Sequence, residues 1–182
     1  MGNICVVTGG GSGMGLEAAR LVGKEQRIIL VGRTASKLER AIKELTADGI
    51  EAEAYSCDTS DSDSVRQLAA YASGLGTVKT VIHAAGISPH MASGEKIFEI
   101  NAAGTVYINE AFGEVMECGS VILNVASMSS YMLPQDQVPL QVYALALCDV
   151  EAFKAAGTQM LAAVPEESKA NAAYTISKNF VT

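Results

Sequence analysis

The chain has 182 residues, of which 49% are hydrophobic and 18% charged, a composition typical of a globular domain and not of a disordered or fibrous chain. Its formal net charge of −7 argues against nucleic acid or an anionic membrane as a partner, because such partners call for a basic field. No apolar run approaches the roughly 20 residues that span a bilayer, and the N-terminus lacks the features of a signal peptide. We therefore expect a cytoplasmic protein with one domain over residues 1–182.

Cysteine spacing gives no support for a metal site or a disulfide framework. The four cysteines lie far apart and form no CxxC pair or Cys/His cluster. They are Cys5, Cys57, Cys118 and Cys148. We expect reduced thiols that are mostly buried.

Short apolar runs alternate with amphipathic segments along the first two thirds of the chain. The runs predict strands over 4–8, 27–31, 51–56, 78–85 and 120–127. The segments between them predict helices over 13–24, 36–48, 61–74 and 95–117. This alternation predicts an α/β fold with a doubly wound parallel sheet, a Rossmann fold, in strand order 3-2-1-4-5.

The segment 128–170 interrupts this alternation. Pro134, Pro139 and Pro165 divide its apolar stretches, and it is too long for a simple loop. We interpret it as an insertion with one or two helices that borders the pocket into which strand 5 opens. Surface packing or a subunit contact is the alternative.

A glycine-rich turn, TGGGSGMG, follows strand 1 directly and leads into a helical pattern. Such a turn offers unpaired backbone N–H groups and the positive end of a helix dipole, and glycine lets a pyrophosphate approach closely. The spacing is GxxxGxG through Gly9, Gly13 and Gly15, without the GKS or GKT of an ATP-binding loop. It predicts a dinucleotide site, with tight strand-to-helix packing as the alternative.

With this turn the sequence resembles the short-chain dehydrogenase/reductase family, whose nucleotide motif is TGxxxGxG. Five further features match the family in the same order along the chain: Asp58 after strand 3, HAAG at 83–86, Asn101 within EINAAG, Ser127 after strand 5, and the YxxxK pair Tyr174 and Lys178. The resemblance covers nearly the whole chain. It implies an oxidoreductase with a small-molecule alcohol or carbonyl substrate, and a homo-oligomer.

The resemblance also implies a set of residues that contact the cofactor. These are Thr8, Gly9, Gly11, Ser12, Gly13, Met14, Gly15, Arg33, Asp58, Ala84, Ala85, Gly86, Tyr174 and Lys178. Three of the matching positions have other interpretations. Asp58 is also placed to cap the helix that begins near Asp61, and the alternative for Asn101 is a solvent-facing polar residue of a helix. His83 stands where the family usually has asparagine, and is either a satisfied strand-end histidine or a cofactor contact.

The catalytic set implied by the resemblance is Asn101, Ser127, Tyr174 and Lys178. A free phenol titrates near 10, so a tyrosine that exchanges protons near neutral pH needs a nearby positive charge in a partly dry site. Lys178 lies one helical turn after Tyr174 and supplies that charge. Ser129 and Ser130 are alternatives to Ser127, and Tyr143 is the alternative to Tyr174.

About 46 residues separate Ser127 from Tyr174, far more than in most family members. In the family the serine hydrogen-bonds the substrate oxygen, and the asparagine orders a water between the lysine and solvent. The close spacing of serine and tyrosine that is usual in the family is therefore lost in this sequence.

Cofactor choice depends on the end of strand 2, which reads VGRTASK. There is no Asp or Glu from Gly32 through Lys37 to hold a free ribose hydroxyl, while Arg33 is placed to pair with a 2′-phosphate and Lys37 to assist. We expect NADP rather than NAD. In the alternative interpretation Arg33 is an ordinary exposed residue.

The chain ends four residues after Lys178, whereas family members continue into further strands. We expect an NADP-dependent oxidoreductase for a secondary alcohol or carbonyl, with a bulky apolar substrate such as a hydroxysteroid. A catalytically inactive nucleotide-binding regulatory or scaffold protein, and a fragment of a longer reductase, are the alternatives. A sugar-nucleotide epimerase or dehydratase also uses YxxxK, but the glycine spacing disfavours it.

Overall fold

The computed structural model describes residues 2–182 and divides the chain into two compact units. The first unit contains the residues up to Ala85 together with Tyr107–Val125, and the second contains Gly86–Val106 and Ala126–Thr182.

The first unit contains a five-stranded sheet in which every pair of neighbours is parallel. Its strands are β1 (Asn3–Thr8), β2 (Arg27–Gly32), β3 (Ala52–Ser56), β4 (Thr77–His83) and β5 (Val121–Asn124). Their spatial order is β3-β2-β1-β4-β5, which confirms the order expected from the sequence. The carboxyl ends of β1 and β4 meet in register, with Thr8 opposite His83.

β1 and β2 are apolar on successive residues, so both faces of the sheet carry apolar side chains. Helices bury these side chains. The helices are α1 (Gly13–Val22), α2 (Ala35–Ala47) and α3 (Ser62–Leu75). They pack on β1, on β2 and β3, and on β1 and β4, respectively. The four residues from Ile28 to Val31 are fully buried in the resulting core.

The second unit is helical. In the sequence, its two segments precede and follow the segment Tyr107–Val125 of the first unit. Its regular elements are α4 (Gly94–Phe98), a π-helical turn (Glu99–Ala103), two 3₁₀ turns (Met128–Met132 and Gln135–Gln137), α6 (Leu140–Leu145), α7 (Val150–Ala162) and α8 (Glu166–Val181). The boundary between the units falls within α5 (Gly104–Val115).

An aromatic cluster forms the core of the second unit. The ring of Phe153 in α7 lies 5.1 Å from that of Phe98 and 4.8 Å from that of Phe180, centroid to centroid. Tyr143 packs edge-on against Phe180 at 5.2 Å. The cluster therefore joins α4, α6, α7 and α8.

The structure differs from the prediction at two elements in particular. β5 ends at Asn124 and not at residue 127, because the chain turns after Val125 N–H bonds the carbonyl of His83. The helix predicted over 95–117 is broken by the π-helical turn. The interpretation of 128–170 as an insertion stays a prediction. Within this segment, α8 begins at Glu166 immediately after Pro165, which is well suited to a helix start.

The prediction of mostly buried thiols was half wrong. Cys5 and Cys57 are buried, whereas Cys118 and Cys148 are exposed because they lie where helices have ended. All four are free thiols. Among residues 2–182, no helix combines the length and the apolar character needed to cross a bilayer.

Candidate functional site

The glycine-rich turn of the first unit has a backbone that other residues would disturb. Gly9 and Gly13 have φ angles of +67° and +58°, in the left-handed region that favours glycine. A Cβ at Gly9 would lie 2.8 Å from the backbone of Ala84 and Ala85, and one at Gly15 would lie 2.6 Å from the carbonyl oxygen of Gly9. The turn leads into α1 at Gly13, so the unpaired N–H groups of the helix start lie in a segment where Gly9, Gly13 and Gly15 carry no side chain. This arrangement fits a pyrophosphate.

Thr8 ties the end of β1 to the end of β4. Its Oγ1 accepts from the N–H of Ala85 at 3.1 Å and shares a 2.7 Å hydrogen bond with Nδ1 of His83. His83 is buried, and its imidazole therefore helps to hold the strand ends that flank the glycine turn.

Basic residues lie at the end of β2, where the sequence predicted the choice of cofactor. Arg33 is exposed directly after the strand, and the next helix begins two residues later. A Cβ at Gly11 would lie 3.3 Å from the Cβ of Lys37, so the stem of Lys37 packs against the glycine turn. Both side chains carry positive charge, and a charged hydrogen bond to phosphate requires such a group.

Asp58 does not cap α3, so that alternative was wrong. The cap is Asp61, whose side chain accepts from the N–H of Asp63 at 2.9 Å. The carboxylate of Asp58 instead accepts from the N–H and the hydroxyl of Ser60, at 3.0 and 2.8 Å. These bonds hold the carboxylate just beyond β3.

In the second unit, Asn101 is buried within the π-helical turn, at 1% exposure, so the solvent-facing alternative was also wrong. Its Oδ1 accepts from the N–H of Ile87 at 2.9 Å, and its Nδ2 donates to the carbonyl of Ile87 at 3.0 Å. Nδ2 also lies 3.5 Å from Oγ of Ser177, whose hydroxyl donates to the carbonyl of Tyr174 at 2.9 Å. The amide therefore fixes the segment after Gly86 and contacts α8. π-Helical turns are rare, and those that occur are often found at functional sites.

The structure brings Lys178, Gly86 and Asn101 together. A Cβ at Gly86 would lie 3.1 Å from Oδ1 of Asn101 and 3.7 Å from Nζ of Lys178. Lys178 is buried at 8% exposure, and burial lowers its pKa because the ammonium loses hydration. Tyr174 lies one turn earlier on α8 and is half-buried.

Ser127 is the N-cap of the 3₁₀ turn Met128–Met132, which packs against α8. Its Oγ accepts from the N–H of Ser129 at 3.2 Å and from the Ser129 hydroxyl at 3.1 Å. Since both lone pairs are engaged, the Ser127 hydrogen remains available for a further acceptor. Ser130, one of the alternatives, is buried at 1% exposure and less accessible to a substrate.

Tyr143, the alternative to Tyr174, is held by other groups. Its hydroxyl lies 3.0 Å from the carbonyl of Ile176 and 3.0 Å from Oδ1 of Asn179. Burial raises the pKa of Tyr143, which makes it a poorer proton-transfer group near neutral pH. Sequence reasoning missed the contacts of Asn179 and Ser177, and only their positions on either side of Lys178 could have suggested them.

The short chain dehydrogenase family model matches residues 3–143. A short-chain dehydrogenase/reductase, bsc3, from Alternaria brassicicola is 32% identical over 127 residues, which are 70% of this chain and 46% of that protein. A galactitol 2-dehydrogenase (L-tagatose-forming) from Cereibacter sphaeroides is 31% identical over 146 residues, 75% of this chain and 57% of that protein. The chain thus spans about half the length of these curated relatives.

Solved structures share the fold at lower identity. A NAD⁺-bound xylitol dehydrogenase superposes with a TM-score of 0.70 at 21% identity, covering 98% of this chain and 60% of its own. An actinorhodin polyketide ketoreductase with NADPH gives a TM-score of 0.65 at 23% identity, covering 88% and 63%.

The buried ammonium of Lys178 predicts a pH-dependent cost in stability. Because its pKa is lowered on folding, the unfolded chain binds more protons between the lowered pKa and the ordinary value of 10.5. The free energy of unfolding therefore rises with pH across that window, and the cost is fully present below it. We expect Lys178→Met to be more stable than the wild type at pH 7. Its free energy of unfolding, measured by urea denaturation, should rise less steeply with pH up to about pH 10.

Lys43→Met is the matched control, because Lys43 is exposed on α2. It should leave the dependence of stability on pH unchanged. A Lys178→Met chain that is less stable at pH 7, with the wild-type pH dependence, would contradict the assignment of a desolvated ammonium.

Proposed function

Because this chain belongs to the short-chain dehydrogenase/reductase family, we propose that it is an NADP-dependent oxidoreductase that interconverts a secondary alcohol and a carbonyl. One observation carries the proposal. Lys178 is buried one turn after the half-buried Tyr174, with its amine beside Gly86 and the buried amide of Asn101. Burial of a lysine costs free energy, and a role in proton transfer gives a reason for that cost.

The first unit supports the cofactor part of the proposal. Its glycine turn has the positive φ angles and the backbone approach that a pyrophosphate needs. Arg33 and Lys37 supply positive charge at the end of β2, where no carboxylate stands from Gly32 through Lys37. Asp58, held by Ser60, is the acid that the family resemblance assigns to the adenine. When bound, the nicotinamide supplies or accepts the hydride.

Proton transfer is the task of Tyr174. Its phenol hydroxyl donates to the substrate oxygen during reduction and takes the proton back during oxidation. The positive charge of Lys178 stabilises the phenolate, since opposite charges about 4 Å apart attract by roughly 4 kcal/mol at an effective dielectric near 20. In return the phenolate favours the protonated amine, which opposes the effect of burial on Lys178.

Ser127 orients the substrate. Because its oxygen accepts from both the N–H and the hydroxyl of Ser129, its own hydrogen is left to donate to the substrate oxygen. Asn101 holds the backbone of Ile87 beside Lys178, and the family resemblance assigns to it the water that links this amine to solvent. These groups therefore serve orientation and proton supply.

The insertion favours an apolar substrate such as a hydroxysteroid. Large apolar side chains of this segment are exposed to solvent, at 87% for Met128, 80% for Tyr131 and 75% for Met132, and the first of these follows Ser127 directly. An open cavity of about 370 Å³ is lined by Val138, Pro139, Leu140, Gln141 and Val142. The relative from Cereibacter sphaeroides is by its name a dehydrogenase of the polyol galactitol. The preference for an apolar substrate therefore rests on the insertion of this chain and not on that relative.

The choice of cofactor is tested at Arg33. Arg33→Ala should weaken NADPH binding by roughly 1.5 to 3 kcal/mol, the contribution of a charge-assisted hydrogen bond, and leave NADH binding nearly unchanged. Isothermal calorimetry measures both affinities. Arg66→Ala removes an exposed positive charge from α3 and is the control for general electrostatics. Equal losses for the two cofactors would refute the preference.

Catalysis is tested at Tyr174. Tyr174→Phe keeps the ring but removes the hydroxyl, so NADPH affinity should persist while ketone reduction falls by roughly 10² to 10⁴, as is typical for loss of a general acid. Steady-state kinetics and calorimetry separate the two effects. Tyr71→Phe, on α3, is the control and should retain wild-type turnover. Near-normal turnover of Tyr174→Phe would assign the proton to another group.

A further inference from the structure

Asn179 is the side chain at which three parts of the second unit meet. It directly follows Lys178 on α8 and is half-buried. Its Nδ2 donates to the carbonyl of Ser130 at 2.9 Å, and its Oδ1 faces the hydroxyl of Tyr143 at 3.0 Å. The amide is thus bonded at both ends to residues outside its own helix.

The bond to Ser130 holds the turn that presents Ser127. Ser130 is buried, and its N–H donates to the carbonyl of Ser127 at 3.0 Å. A carbonyl can only accept, so the Asn179 side chain must present its amino group to this turn. The bond therefore connects the Ser127 turn directly to the helix that carries Tyr174 and Lys178.

The bond to Tyr143 connects the insertion to the same point. Tyr143 lies in α6, and its ring packs on Phe180, which follows Asn179. A hydroxyl has one hydrogen, which Tyr143 donates either to Oδ1 of Asn179 or to the carbonyl of Ile176, both at 3.0 Å. When the hydrogen is donated to Oδ1, the amide oxygen faces Tyr143 and the amino group faces Ser130.

We propose, on the basis of the function proposed above, that Asn179 is a positioning residue that sets the placement of Ser127 relative to Tyr174 by binding the carbonyl of Ser130. About 46 residues separate the serine from the tyrosine, so the intervening chain is a poor restraint on their placement. The hydrogen bond from Asn179 to Ser130 instead restrains the Ser127 turn directly against α8. A displacement of about 1 Å at reacting groups can lower a rate about a hundredfold.

Two variants of Asn179 separate the hydrogen bond from the shape of the side chain. Asn179→Asp has nearly the same shape, but its carboxylate cannot donate to the carbonyl of Ser130 until it is protonated. Asn179→Leu has a similar size and makes neither bond at any pH. Asn171→Asp makes the same chemical change at an exposed position on the same helix and is the matched control.

The first measurement is hydrogen exchange of the peptide that spans residues 126–133, followed by mass spectrometry on the full chain without cofactor. At pH 8 we expect protection of this peptide to fall at least tenfold in Asn179→Asp and Asn179→Leu, and to stay unchanged in Asn171→Asp. At pH 4, near the ordinary pKa of an aspartate side chain, protection should return partway toward the wild-type value in Asn179→Asp alone. Unchanged protection of this peptide in both Asn179 variants would overturn the proposal.

The second measurement is the rate of NADPH oxidation with cyclohexanone as the probe ketone, expressed relative to the wild type at pH 8. We expect kcat of Asn179→Asp and of Asn179→Leu to fall about tenfold to a hundredfold, with NADPH affinity within twofold of the wild type. Asn171→Asp should keep the wild-type kcat. A loosened turn with wild-type kcat at pH 8 would show that Asn179 positions nothing the reaction needs.

The two measurements also distinguish this proposal from the proposed function. If the wild type binds no NADPH, the proposed function fails. The contact between Asn179 and Ser130 then has no role in catalysis, whatever result hydrogen exchange gives. If the wild type binds NADPH but does not reduce the probe, the exchange measurement alone decides whether Asn179 holds the turn.

Discussion

Burial of one amide, that of Asn101, is the constraint on which the second unit depends. A buried amide without partners would cost several kcal/mol by transfer to an apolar environment. The backbone of Ile87 meets this requirement by accepting from Nδ2 and donating to Oδ1. The segment after Gly86 is thereby fixed, and Asn101 and the Lys178 amine lie on the same side of Gly86. Substitution of Gly86 would place a Cβ against this amide, so the glycine belongs to the same constraint.

Two features lower the stability of the folded chain, and the proposed function gives a reason for each. Gly9 and Gly13 have positive φ angles, which favour glycine. Glycine lowers the stability of the folded state because it loses more conformational entropy on folding than any other residue. The buried ammonium of Lys178 loses hydration. A chain selected only for stability would avoid both, whereas a site that binds a dinucleotide and moves a proton needs them. The cost in stability therefore supports the functional interpretation of these residues.

Local patterns in the sequence were enough for the strands, their order and the glycine turn, because a buried parallel sheet requires successive apolar residues and right-handed crossovers. They did not predict the early end of β5 at Asn124, since hydrophobicity continues beyond the last ladder bond. Nor did they predict the partners of Asn101 or Asn179, because those bonds join residues far apart in the chain. The sequence offered Asp58 as a cap for the third helix, whereas the cap is Asp61, because the helix begins at Ser62.

The central claim is that the glycine turn of the first unit holds a nicotinamide dinucleotide. Isothermal calorimetry of the purified chain against NADPH and NADH tests it most directly, with circular dichroism to show that the chain is folded. The account predicts saturable binding of one NADPH per chain, weaker binding of NADH, and loss of both in Gly9→Val, whose side chain would meet the backbone of Ala84 and Ala85. A folded wild-type chain that binds neither dinucleotide would contradict it.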